Sequence, residues 1–179
     1  IYFVQSCTDP STGRAGIYHG VIDDAGGSPT MVSRIFSHPD MDYGFPNISW
    51  TGTSINEEES IISFNHSSED DFGGFSAMFV DAGLNASERM EIKEGFSTVN
   101  VMQDTLERWG DYSGSQRMYN QPGAAWAVGS FGNQQGGHGT WIAELFSPSV
   151  ATSTSNLSVQ SITSIYPNPI LDDVSIEFN

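Results

Sequence analysis

The chain is punctuated too often to form anything but short extended segments. Residues 1–6, 15–22 and 31–36 read as strands, then 47–51, 60–66, 74–81 and 88–93, then 116–119, 124–130 and 140–146. Each run ends within a few residues in turn chemistry. Examples are Thr-Asp-Pro-Ser-Thr-Gly at 8–13, Asp-Asp-Ala-Gly-Gly at 23–27 and Asn-Gln-Pro-Gly at 120–123, where Gly, Asn, Asp and Pro each favour a bend for their own steric reason. A helix would need apolar positions recurring every 3.6 residues over several turns. Residues 87–92 could close one turn and do not continue it. The expected class is all-β, with strands spaced as in a sandwich, barrel or propeller.

Composition narrows the function. Twenty-two acidic residues against six basic ones give a formal net charge of −16. Such a surface repels phosphate backbones and anionic lipid, so nucleic-acid binding is excluded as an expectation. The single Cys7 rules out an internal disulfide framework, and at a strand end it reads as a small packed residue rather than a nucleophile. No apolar run is long enough to form a transmembrane helix. No signal peptide is visible, and residues 1–4 (Ile-Tyr-Phe-Val) already resemble a buried strand. The expectation is a piece cut from a larger protein.

The strands group in sets, and two stretches look like repeated openings. Phe45-Pro-Asn-Ile-Ser-Trp50, followed by an acidic turn and Ile61-Ile-Ser-Phe-Asn-His-Ser-Ser68, forms one. Tyr112-Ser-Gly114 with Ala125-Trp-Ala-Val-Gly-Ser130 forms the next. Together with Arg108-Trp-Gly-Asp-Tyr-Ser113, Trp126 and Gly139-Thr-Trp-Ile-Ala143, residues 45–146 resemble the closing blades of secreted, sialidase-like bacterial propellers. That resemblance implies a partial β-propeller over residues 1–146, with about two to three four-stranded blades of the usual four to eight. Residues 147–163 are rich in Ser and Thr and read as a linker.

The last sixteen residues have a different character. Tyr166, Pro167, Asn168 and Pro169 form a rigid turn, because the two prolines fix φ and remove two backbone donors. Leu171, Asp172 and Asp173 lead into Val174, Ile176 and Phe178, which alternate with polar residues as a half-buried strand does. This arrangement resembles the C-terminal sorting domain of type IX secretion cargo from Bacteroidetes. The expected unit at 164–179 is the first strand of a β-sandwich sorting domain, cut short because one strand cannot bury its own apolar face. The resemblance implies export across the outer membrane, to the cell surface or the medium. The partners would be the type IX translocon and its shuttle protein.

Several stretches could carry chemistry. Arg108, Trp109, Asp111 and Tyr112 form the foremost binding cluster. Arg108 and Asp111 are spaced to pair, and Trp109 and Tyr112 could present a flat surface to a sugar; alternatively, Asp111 ties down the turn and Trp109 packs between blades. Asp40 and Asp42, followed by Gly44, have the spacing of a calcium-loop start but lack the further ligands of an EF-hand, and a plain acidic turn explains them as well. Residues 69–74 (Glu-Asp-Asp-Phe-Gly-Gly) are a similar acidic turn, with Glu69 where a sialidase-type turn motif would have Ser or Thr. His19, His38, His66 and His138 show no zinc spacing, and no Gly-x-Ser-x-Gly elbow exists. Asp104-Thr-Leu106 matches a short O-glycosylation pattern of exported Bacteroidetes proteins. The expected function is a secreted, glycan- or surface-binding propeller with no certain cofactor, calcium aside. The alternative is a carbohydrate hydrolase on the same scaffold, whose catalytic residues the sequence does not identify.

Overall fold

The structure is a computed structural model that describes residues 1–54, 57–102 and 107–148. The motif residues Tyr166, Pro167, Asn168, Pro169 and Asp172, nearly all of the linker, and Asp104–Leu106 lie outside the described residues. Ten strands make three antiparallel sheets, each a simple meander in chain order. The first sheet contains β1 (Tyr2–Thr8), β2 (Ala15–Asp23) and β3 (Thr30–Phe36). The second contains β4 (Met41–Trp50), β5 (Ser60–Ser68), β6 (Gly74–Val80) and β7 (Met90–Lys93). The third contains β8 (Gly114–Arg117), β9 (Ala124–Gly132) and β10 (His138–Phe146).

All-β architecture therefore holds, and every strand expected from the sequence is present. One stretch differs. Residues 38–44, expected as an acidic turn, contain the first part of β4, which begins at Met41. The pattern was visible: Met41 and Tyr43 are buried and alternate with Asp42 and Gly44, the period of a strand. The two aspartates and the glycine hid it. The connection after β7 is partly packed. Val99 is buried, and the amides of Phe96 and Asn100 donate to the carbonyls of Gly132 and Gly136 in the β9–β10 hairpin.

The second sheet is the middle layer. Ile62, Phe64, Met78 and Val80 pack with Ile17 and Phe36 of the first sheet. On the other face, Ile61, Phe75 and Ala77 meet Ala127, Ala143 and Leu145 of the third. Close packing on that side depends on small residues, since the Phe75 ring lies where a Cβ on Gly129 would be. Complete burial of a large apolar side chain stabilises by about 1.5–3 kcal/mol, and Ile62, Phe64 and Phe75 are all fully buried. The opening strands β1, β4 and β8 are neighbours in that order. Polar side chains fasten the layers. Ser49 and Ser115 share a 2.5 Å hydrogen bond, and the Ser6 hydroxyl accepts from the Phe45 amide at 3.1 Å. Asn65, also buried, receives the Ser130 amide on Oδ1 at 3.2 Å and donates to the Gly110 carbonyl at 3.3 Å.

Much of the acidity is used to close turns. Asp9 accepts from the amide and hydroxyl of Ser11 and from the hydroxyls of Thr12 and Ser37, joining the β1–β2 turn to the exit of β3. Asp24 accepts from the Ser28 amide, and Asp81 from the amides of Gly83 and Asn85. At the end of β7, the amine of Lys93 sits 4.4, 5.1 and 4.6 Å from the ring centres of Phe96, Phe131 and Trp141, which binds the second sheet to the third by cation–π attraction.

Two expected outcomes follow from these buried polar groups. Replacing Asn65 by Ala leaves the Gly110 carbonyl and Ser130 amide without their partner, so stability should fall by about 2–4 kcal/mol in urea denaturation. The pH response should come in two stages. His19 has no partner for either ring nitrogen, and burial lowers its pKa. Burial, then the nearby Arg89, lowers His66 from 6.5 to about 4 against the opposing pull of Glu91 and Asp71. Both bind a proton more readily when unfolded, so stability declines as the pH falls below 6.5, and for His66 the decline is complete towards pH 4. For His66 this amounts to about 3 kcal/mol. Hydrogen bonds from Ser37 and Ser11 hold Asp9 down at about 2, so its share disappears only between pH 3.8 and about 2. A urea midpoint that stayed level down to pH 4 would contradict this account.

Candidate ligand-binding cleft

The cleft is formed where the connection between β7 and β8 returns across the β5–β6 turn. Gly110 holds that connection in place. Its φ of +86° lies in the left-handed region, which a side chain strains. A Cβ there would also sit 2.6 Å from the amide of Asn65 and from the ring of Phe45. Phe45 itself has a positive φ of 53° beside an irregularity in the β4–β5 pairing between Gly44 and Asn47. Pro46, which has no N–H to give the ladder, sits in that irregularity. The loop then continues through Ser113, whose hydroxyl donates to the Phe45 carbonyl at 3.1 Å and accepts from Asn47 at 2.9 Å.

These constraints set Trp109 against Gly73, where the indole would lie 2.5 Å from any Cβ. The ring is half-buried and forms one wall of a cleft of about 530 Å³. Phe72, Asp71, Glu107, Ser67 and Asn100 are among the other walls. Ser68 caps the turn beneath them. Its hydroxyl accepts from the amides of Asp70 and Asp71 and donates to the Asp71 carboxylate at 3.3 Å. The Glu107 carboxylate accepts from the Met102 amide at 2.8 and 3.1 Å. The result is an aromatic surface edged by hydrogen-bond acceptors, with no cationic side chain among the lining residues.

The four residues grouped in the sequence divide into different roles. Only Trp109 lines the cleft. Arg108 Nε donates to Asp111 Oδ2 at 2.7 Å, a clip on the loop that leaves the arginine 79% exposed. Tyr112 is 85% exposed and makes no ring contact with Trp109. Arg108 and Asp111 pair at the spacing noted in the sequence, and Trp109 lies against Gly73. A joint Trp109–Tyr112 platform is not formed. Asp42 lies in β4 and spends both oxygens, accepting from Arg14 Nη1 at 3.0 Å and from the Ala15 amide at 2.8 Å. Asp40 is exposed, its amide donating to His38 Nδ1 at 3.2 Å. Among the described residues no three His, Cys, Asp or Glu side chains converge as a metal ligand set. Cys7 is partly buried, and burial raises its pKa, which disfavours the thiolate.

Asp71, Phe72 and Glu107 were not singled out as site residues by their sequence context. The only signal was the turn at 69–74, and its hydroxyl cap comes from Ser68, one residue before the position at which it was sought. Comparison of the chain with protein-family models, curated proteins and solved structures gave no match.

Replacing Gly110 by Ala should displace the loop. The cost should be about 2–3 kcal/mol, from a left-handed backbone and contact with Phe45. Trp109 emission should shift to the red as the indole leaves Gly73, whereas Tyr112→Ala should leave both stability and emission unchanged.

Proposed function

We propose that the chain belongs to a secreted β-propeller of Bacteroidetes, exported by the type IX system, which binds a neutral glycan in the Trp109 cleft. The observation that carries the binding reading is the half-buried indole of Trp109 beside the acceptors of Asp71, Glu107 and Asn100. A sugar presents C–H faces that stack on an aromatic ring and hydroxyls that donate to carboxylates and amides. A net charge of −16 favours a neutral ligand over an anionic one. Three successive meanders, stacked face to face with their first strands adjacent, support the propeller reading. The export reading rests on the resemblance of Tyr166, Pro167, Asn168, Pro169 and Asp172 to the sorting motif.

A hydrolase is the second reading, because two carboxylates, Asp71 and Glu107, line the same cleft. Both already hold the turns around them, the first with Ser68 and the second with the Met102 amide, an arrangement that suits binding better than proton transfer.

Titration with neutral and acidic oligosaccharides, followed by Trp fluorescence, tests the binding reading. Neutral glycans should bind, and Trp109→Ala should weaken binding by at least about tenfold, the scale of about 1.4 kcal/mol for a lost stacking contact. Reducing-end release on the same panel should be absent; turnover abolished by Asp71→Asn would establish the hydrolase instead. For export, deletion of residues 166–169 in a producing strain should leave the protein in the periplasm.

A further inference from the structure

A second cleft, of about 540 Å³, opens between the first and second sheets on different chemistry. One side is apolar, with Ile35, Phe36, Met78 and Ala86. The polar side presents donors. Tyr43 is only 4% exposed, its ring packs 4.6 Å from that of Phe64, and its hydroxyl has no hydrogen-bond partner among the described residues. The hydroxyl is not among the buried, unpaired polar atoms, so it is open to the cleft that Tyr43 lines and available to a ligand. Arg89 reaches the same space. Its Nη1 is fixed by Ser76 at 3.0 Å and Glu91 at 3.0 Å, which leaves Nε and Nη2 without an acceptor among the described residues. At the rim, His38 Nδ1 accepts from the Asp40 amide, so the neutral imidazole carries its proton on Nε2 as a third donor.

We propose that this cleft binds a small organic acid with an apolar body, its carboxylate received by Arg89, Tyr43 and His38. Guanidinium and phenol are both donors to a carboxylate, and the guanidinium can grip it in bidentate fashion. The bonds to Ser76 and Glu91 hold Arg89 in place before any ligand arrives, which lowers the entropy cost of binding. The apolar wall matches an aliphatic or aromatic body rather than a free inorganic anion. Glu88, also among the lining residues, limits the site to a single negative charge. The protein's overall charge acts against approach, but that repulsion is screened beyond about 8 Å at physiological salt, whereas the donors act in direct contact. The site is separate from the Trp109 cleft and does not depend on the glycan reading.

Phenylacetate and phenylacetamide share a body and differ in charge, so they separate this proposal from non-specific apolar binding. In amide-resolved NMR titrations of the whole chain, phenylacetate should shift resonances within 35–43 and 86–89 with millimolar affinity, and phenylacetamide should not. Inorganic phosphate should have no effect there. Tyr43→Phe removes a hydroxyl that has no hydrogen-bond partner among the described residues and is open to the cleft, so its urea midpoint should match the parent while phenylacetate binding weakens about tenfold. Equal response to acid and amide, saturation by phosphate, an absence of shifts at these residues, or unchanged affinity in Tyr43→Phe would each overturn the proposal.

Discussion

Strand β5 has almost no side that faces water, and the rest of the molecule is arranged to supply what its two faces require. Ile62 and Phe64 need the first sheet, and Ile61 needs the third. An antiparallel sheet usually keeps one face wet; here β5 and β6 at the centre of the middle sheet are dry on both, and a buried polar group there can find its partner in a neighbouring sheet. Asn65 does so with one side chain that serves Ser130 and Gly110 together. That bond also sets the height of the loop bearing Trp109. The same amide that fastens the third sheet to the second thus positions the candidate cleft.

Polar chemistry is distributed by layer. Between the second and third sheets the contacts are small-residue packing, neutral hydrogen bonds and the cation–π contacts of Lys93 and Arg117, with Gly129 under Phe75 and Ser49 on Ser115. Between the first and second they include charged groups. Arg14 meets Asp42 at one end of β4; a second charged group, Arg89, joins His66, Ser76 and Glu91 within the middle sheet itself. Few basic residues exist in this chain, and most are engaged in joining elements. Several of the carboxylates that outnumber them, Asp9, Asp24 and Asp81 among them, sit at turns and accept from backbone amides.

Fold class was legible because turn residues and strand residues alternate in the chain with little ambiguity. The beginning of β4 was not, because Asp40, Asp42 and Gly44 are turn formers by type, and only the burial of Met41 and Tyr43 reveals the strand. At the site, the spacing of Arg108 and Asp111 announced their pairing, which depends on residues three apart. The company kept by Trp109 was not announced. Asp71 and Phe72 lie far from it in the chain and reach it only through the return of a long connection over Gly73. Tyr43 in β4 and Arg89 just before β7 come to one cleft from opposite edges of the second sheet, and no local pattern encodes such a meeting.

The aromatic enclosure of Lys93 has a consequence outside packing. Lys93 is the chain's only lysine, and Arg14, Arg34, Arg89, Arg108 and Arg117 complete its basic residues. A trypsin-like protease must draw a basic side chain into its own pocket before it can cut. At Lys93 it must first pull the amine out from among Phe96, Phe131 and Trp141. At Arg117 it must strip the guanidinium from Trp50, 4.1 Å away. Arg34 is held by the Leu84 carbonyl at 2.7 Å, and Arg14 and Arg89 by carboxylates. These interactions therefore also restrain five of the six basic side chains against digestion, whereas Arg108, 79% exposed on its loop, stays open to a protease.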